Sequence, residues 1–101
     1  MARLSAMLMA GPLADEGWQL VDRDGTGART LVPVAGVWPA RVPLPRIEAR
    51  PVVGGAGRAW WHWAAPAGVA DIPIAPVNDC DRAARMLLRS LPKLAAAQRL
   101  S

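Results

Sequence analysis

The run Arg58-Ala59-Trp60-Trp61-His62-Trp63-Ala64-Ala65 constrains this chain more than any other segment. Three of the five Trp residues fall there, and the chain has no Phe or Tyr. Large aromatics fit a pleated, half-buried strand. A strand sends successive side chains to opposite faces. Trp61 and Trp63 therefore share one face, and Trp60 and His62 the other. A chain of 101 residues suits one domain. A domain that small buries only about 60–65% of its unfolded surface, so its core is thin. One buried Trp removes on the order of 200 Å² from water, at roughly 25 cal/mol per Å². One pair is enough to fill much of the core under the helices. The other pair is either packed as well or left as a binding face. Fully exposed, it would be an apolar patch of the kind that marks an interface or pocket.

The rest of the chain supplies partners for that strand. Leu4, Met7 and Leu8 stand at helical spacing and predict a short amphipathic helix over residues 2–10. Gly11-Pro12 should end or break it, with Pro12 able to open a further turn to Glu16. Gly17 to Val21 begins a strand, Asp22 to Gly27 is a turn with a strong Asp-Gly hairpin signal, and Arg29 to Val34 returns antiparallel. Pro33 cannot donate a ladder bond, so that strand should lie at an edge or end early. Pro39, Pro43 and Pro45 favour an extended crossing. Arg46 to Val53 pairs with the Trp-rich strand through the turn Gly54 to Gly57. Residues 66–77, with Pro66, Pro73 and Pro76, read as a connector.

The last helix starts with Asn78 as its N-cap and with Asp79 and Asp81 in the first turn. Cys80, Ala84, Leu87, Leu88 and Leu91 form its apolar stripe. Pro92 should kink or stop it. The expected domain is thus 1–92, with 93–101 a helical or frayed extension. The expected fold is α+β: a three- to four-stranded antiparallel sheet, with a short N-terminal helix and a longer C-terminal helix packed on one face.

These placed features resemble a set of small uncharacterised proteins from high-GC actinobacteria. The likeness rests on the short leading helix, Gly17-Trp18 opening the first strand, and the late Trp-rich strand. It continues in Ile74-Ala75-Pro76, Asp79 near a helix start, and the paired Ala83-Ala84. Gly11-Pro12 departs from an uninterrupted leading helix. The resemblance implies the α+β fold and no activity, so it assigns no functional residue. About a fifth of the chain is Ala, and Arg outnumbers Lys eleven to one. That bias reflects a GC-rich genome and is poor support for phosphate binding.

Net charge is +4, with the excess in residues 36–101. It permits an acidic partner without demanding one. Cys80 is the only cysteine, so no internal disulfide forms, which fits a reducing compartment. No convincing leader cleavage site appears. No segment approaches the roughly 20 apolar residues a membrane span needs. The expected location is the cytoplasm.

Several motifs fall to simpler readings. Asp22-Arg23-Asp24-Gly25-Thr26 resembles the Asp-x-Asp-Gly-Thr of haloacid-dehalogenase-type phosphatases. That chemistry needs a large parallel sheet, a downstream Lys and a further acidic pair. This chain has one Lys, Lys93, and no room for the sheet. A calcium loop starting at Asp22 would place Pro33 where a bidentate Glu is required. His62 is the only histidine, and with distant Cys80 it makes no metal set. Cys80 sits in the apolar stripe, which favours packing. Pro73 to Pro76 is a minimal Pro-x-x-Pro. No catalytic residue, metal or cofactor is nominated, and the balance leans away from an enzyme.

The expected function is a non-catalytic interaction or accessory module. It would use the outer face of the Trp-rich strand to meet another protein or a second copy, through Trp60, His62, Arg58 and Trp38. One rival is nucleic-acid binding through the helix face carrying Arg82, Arg85 and Arg89. The helix and strand order resembles double-stranded-RNA-binding domains, but their Lys-rich cluster is missing. The other rival is a small-molecule or catalytic pocket lined by Trp60, His62 and Trp38.

Overall fold

A computed structural model describes residues 2–22, 28–34, 38, 42–51, 59–66 and 68–99. The Trp-rich segment forms β4 (Ala59–Ala65), as its composition predicts. It pairs antiparallel with β3 (Arg46–Pro51), setting Ile47 opposite Trp63 and Ala49 opposite Trp61. The alternate positions set Glu48 opposite His62 and Arg50 opposite Trp60. β1 (Trp18–Val21) and β2 (Arg29–Pro33) form a further antiparallel pair, with Leu20 opposite Leu31. β2 joins β3 through Arg29 and Thr30, and the Leu31 N–H donates to Pro45 O at 2.8 Å. β2 ends at Pro33, where the proline removes a donor. The turns 23–27 and 52–57 lie outside the described residues.

Among the described residues the sheet has five strands in the order β1-β2-β3-β4-β5, more than the three to four expected. β5 (Pro73–Pro76) comes from the segment read as a connector. Two prolines in four residues hide a strand, because each lacks a ladder donor. They are tolerated at the ends of an edge strand, where one flank needs no partner. Ile74 and Ala75 between them are buried, which a displayed Pro-x-x-Pro ligand would not allow.

α1 (Ala2–Asp15) runs through Gly11 and Pro12 without a break, correcting the expected stop. Leu13 is fully buried and anchors the last turn. Glu16 N–H donates to Leu13 O at 3.2 Å, and Gly17 N–H to Ala14 O at 3.0 Å. Gly17 has φ +85°, the left-handed conformation that closes helices and favours glycine. The phase of α1 also differs from expectation. Leu4, Met7 and Leu8 are 59%, 68% and 58% exposed, while Ser5, Ala6, Met9 and Leu13 face inward. Ser5 and Ala6 are small, so the helix can approach bulky Trp61 closely.

α2 (Cys80–Arg99) is capped by Asp79, one residue after the predicted Asn78. Asp79 Oδ1 accepts from the Arg82 N–H at 3.2 Å, filling one of the donors that a helix start leaves open. α2 passes through Pro92, and Leu94 beyond it is buried. The boundary expected at residue 92 therefore falls inside a helix that remains attached to the core. Met9 and Leu13 of α1 and Ala84, Leu87 and Leu91 of α2 share one buried cluster with Leu31, Ile47, Trp61 and Trp63. Both helices thus cover the Trp61/Trp63 face. Burying Trp61 alone stabilises by about 5 kcal/mol on area grounds. Among the described residues no helix is long and apolar enough to cross a membrane.

Candidate functional site

Alternation along β4 puts Trp60 and His62 on the face opposite Trp61 and Trp63. Trp60 is half-buried and stands outside the buried cluster. The Arg82 guanidinium, from the first turn of α2, lies 5.9 Å from its ring centroid. At that distance a cation is attracted to the negative ring face. Arg50, directly across from Trp60 on β3, is ion-paired with Glu48 and with Asp71. Asp71 lies in the link between β4 and β5, where its N–H donates to Trp63 O at 2.7 Å. Its φ of +69° is one that Asp tolerates better than most residues. Hydrogen bonding to Arg50, then its charge, holds the Asp71 carboxyl below the usual carboxylate range. The same partners, Asp71 first and Glu48 second, raise Arg50 further above its ordinary value.

His62 is only 9% exposed. Its Nδ1 lies 3.0 Å from Trp60 O, and a carbonyl only accepts, so this bond requires the proton on Nδ1. Glu48 flanks it on β3 and Pro73 on β5. His62 is thus held by its own strand. Trp60, His62, Glu48, Arg50 and Asp71 make one patch with Arg82 at its margin. Arg58 lies outside the described residues.

Trp38 is elsewhere. Its ring meets Trp18 edge to face, at 6.1 Å between centroids and 80° between planes. Trp18 belongs to β1, three strands from β4, and packs against the helix-covered core. A pocket combining Trp60, His62 and Trp38 is therefore not assembled. Instead Trp18 and Trp38 line a cleft of about 430 Å³ with Glu16, Leu88, Pro92 and Ala96.

Arg82, Arg85 and Arg89 are all exposed on α2, as their spacing predicts. Asp79 and Asp81 lie beside them, and Arg85 Nε donates to Asp81 O at 3.4 Å. Cys80 is half-buried, with its thiol 3.5 Å from Ser5 Oγ and 3.8 Å from Val77 O. Among the described residues, no three His, Cys, Asp or Glu side chains gather to hold a metal ion. Asp24, of the phosphatase-like and calcium-like motifs, lies outside the described residues.

Sequence reasoning missed Glu48, Arg50 and Asp71. Strand alternation puts Glu48 and Arg50 on one face, but only the register identifies His62 and Trp60 as their neighbours. Asp71 carries no local signal. No family model matches the chain, and no curated protein or solved structure matches it either.

Proposed function

We propose that this protein is a non-catalytic interaction module whose docking face is the side of the sheet that carries Trp60, opposite the Trp61/Trp63 core. The observation that carries this reading is Trp60 itself, a half-exposed indole flanked by Arg82 and Arg50. Trp and Arg are the residues most enriched where protein interfaces concentrate their binding energy. Both arginines are already oriented, one by the ring and one by Glu48 and Asp71, which lowers the entropy lost on docking.

Charge favours a protein partner over nucleic acid. Glu48, Asp71 and Asp81 stand among Arg50, Arg82 and Arg85, so the described surface around Trp60 carries both signs rather than the uniform positive charge that a phosphate backbone selects. A patch carrying both signs suits a second copy of the chain, because a two-fold interface must be complementary to itself. The cytoplasm is the compartment that goes with this reading, supported by the single Cys80.

Sedimentation velocity tests the second-copy version. We expect the parent chain to self-associate at high micromolar concentration, and Trp60→Ser to be monomeric there. Leu8→Ser, on the exposed side of α1, should associate like the parent. A monomeric parent rules out the second copy. Loss in Leu8→Ser with retention in Trp60→Ser would move the interface to α1.

A further inference from the structure

We infer that the cleft between Trp18, Trp38 and α2 is a binding site for a small organic cation, such as a trimethylammonium or alkylamine group. This inference does not rest on the docking face proposed above, which lies on the other side of the sheet.

The cleft's size, about 430 Å³, falls within the range of small-molecule sites. Its shape has a local cause. Pro92, Ala95 and Ala96 present little bulk on the turn of α2 that faces Trp18 and Trp38, so the helix cannot fill the corner between the rings. Meeting at 80°, the two indoles form two walls of that corner. Trp38 is fixed there, since its Nε1–H donates to Pro43 O at 3.2 Å. An indole face is electron-rich, and two of them at an angle suit a cation with an apolar coat.

A neutral apolar ligand would need nothing more, but the remaining wall is anionic. Glu16 is exposed and lines the cleft. It directly follows the end of α1, whose terminal carbonyls carry partial negative charge. No basic residue stands in that last turn to offset it. Lys93, beside Pro92, is exposed and does not line the cleft. The aromatic walls and the Glu16 carboxylate both select positive charge, and the remaining lining from Leu88 and Leu91 accommodates methyl or methylene groups.

The test uses choline as probe, read by the indole N–H signals in NMR, with its uncharged tert-butyl isostere for comparison. Choline should shift the Trp18 and Trp38 signals saturably and leave Trp61, which is bonded to Ser5, in place. The isostere should bind several-fold more weakly. Glu16→Gln should weaken choline by roughly two- to fivefold. Ala96→Met, which fills the cleft at an exposed position, should abolish the shift while the remaining spectrum stays that of the parent. No saturable shift in the parent overturns the assignment. So does equal affinity for the isostere, parent-like binding in both variants, or a shift confined to Trp60.

Discussion

Trp61 is the largest fully buried side chain among the described residues, and a buried indole N–H needs an acceptor. Ser5 provides it, 56 residues away, at 2.9 Å and itself 3% exposed. Ser5→Ala strands that donor, and we expect a loss of about 1–3 kcal/mol in urea unfolding. Met7→Gln, exposed on the same helix, should stay within about 0.5 kcal/mol. On the other face, Asp71 titrates below its ordinary value because of Arg50. A depressed carboxyl contributes stability that is present above the unfolded value and is lost as pH falls through the folded one. The parent should thus exceed Asp71→Asn in stability at neutral pH, and the gap should close below about pH 4. It should also narrow with added salt, since Asp71 is exposed. A gap that stays constant with pH would show that Arg50 does not hold this carboxylate. The division of Trp60, Trp61, His62 and Trp63 between faces was legible from alternation alone. Ser5 was not, because a polar residue in an apolar run reads as the solvent side until its distant partner is known.

At the scale of elements, every strand and helix expected from the sequence is present, the strands within a residue or two and both helices running well past their expected stops, and the misses share one cause. Gly11-Pro12, Pro92 and the prolines of β5 all break local rules, and tertiary burial prevails over each. Leu13 and Leu94 lie beyond their prolines and are buried, so continuing the helix gains more than the missing bond loses. Ile74 and Ala75 do the same for β5. The phase of α1 differs for a related reason, since Ser5 bonds the Trp61 indole and the buried side then runs through Ser5, Ala6, Met9 and Leu13, leaving Leu4, Met7 and Leu8 outside. Gly17 was read from the sequence only as the start of β1, and in the structure it also closes α1 in the left-handed conformation. A Cβ there meets no atom within 4 Å, so the only penalty is the left-handed backbone. Gly17→Ala should cost about 1–2 kcal/mol. Calorimetry should register this as a lower melting temperature, whereas Gly11→Ala, within the helix and with open space, should raise it.

For the whole molecule, the two helices share a single core against one side of the sheet, so stability is pooled rather than divided along the chain. The candidate sites differ in how they depend on that arrangement. The Trp60 patch needs β3 and β4 in register, a property set mainly by the pairs Ile47 with Trp63 and Ala49 with Trp61. The cleft instead needs α2 to extend past Pro92, because Ala95 and Ala96 form one of its walls. A chain ending at Pro92 separates the two. It loses Leu94, which is 8% exposed and whose burial is worth about 2–4 kcal/mol by analogy with core truncations. In a domain this size, that lowers the melting temperature by roughly 10–20 °C. If residues 93–99 were only a frayed extension, truncation would leave the melting curve unchanged. If they belong to the core, the shortened chain should melt early in one transition, with the Trp61 indole signal persisting up to it. Choline-dependent shifts at Trp18 and Trp38 should already be missing at low temperature, since the cleft disappears before the core does.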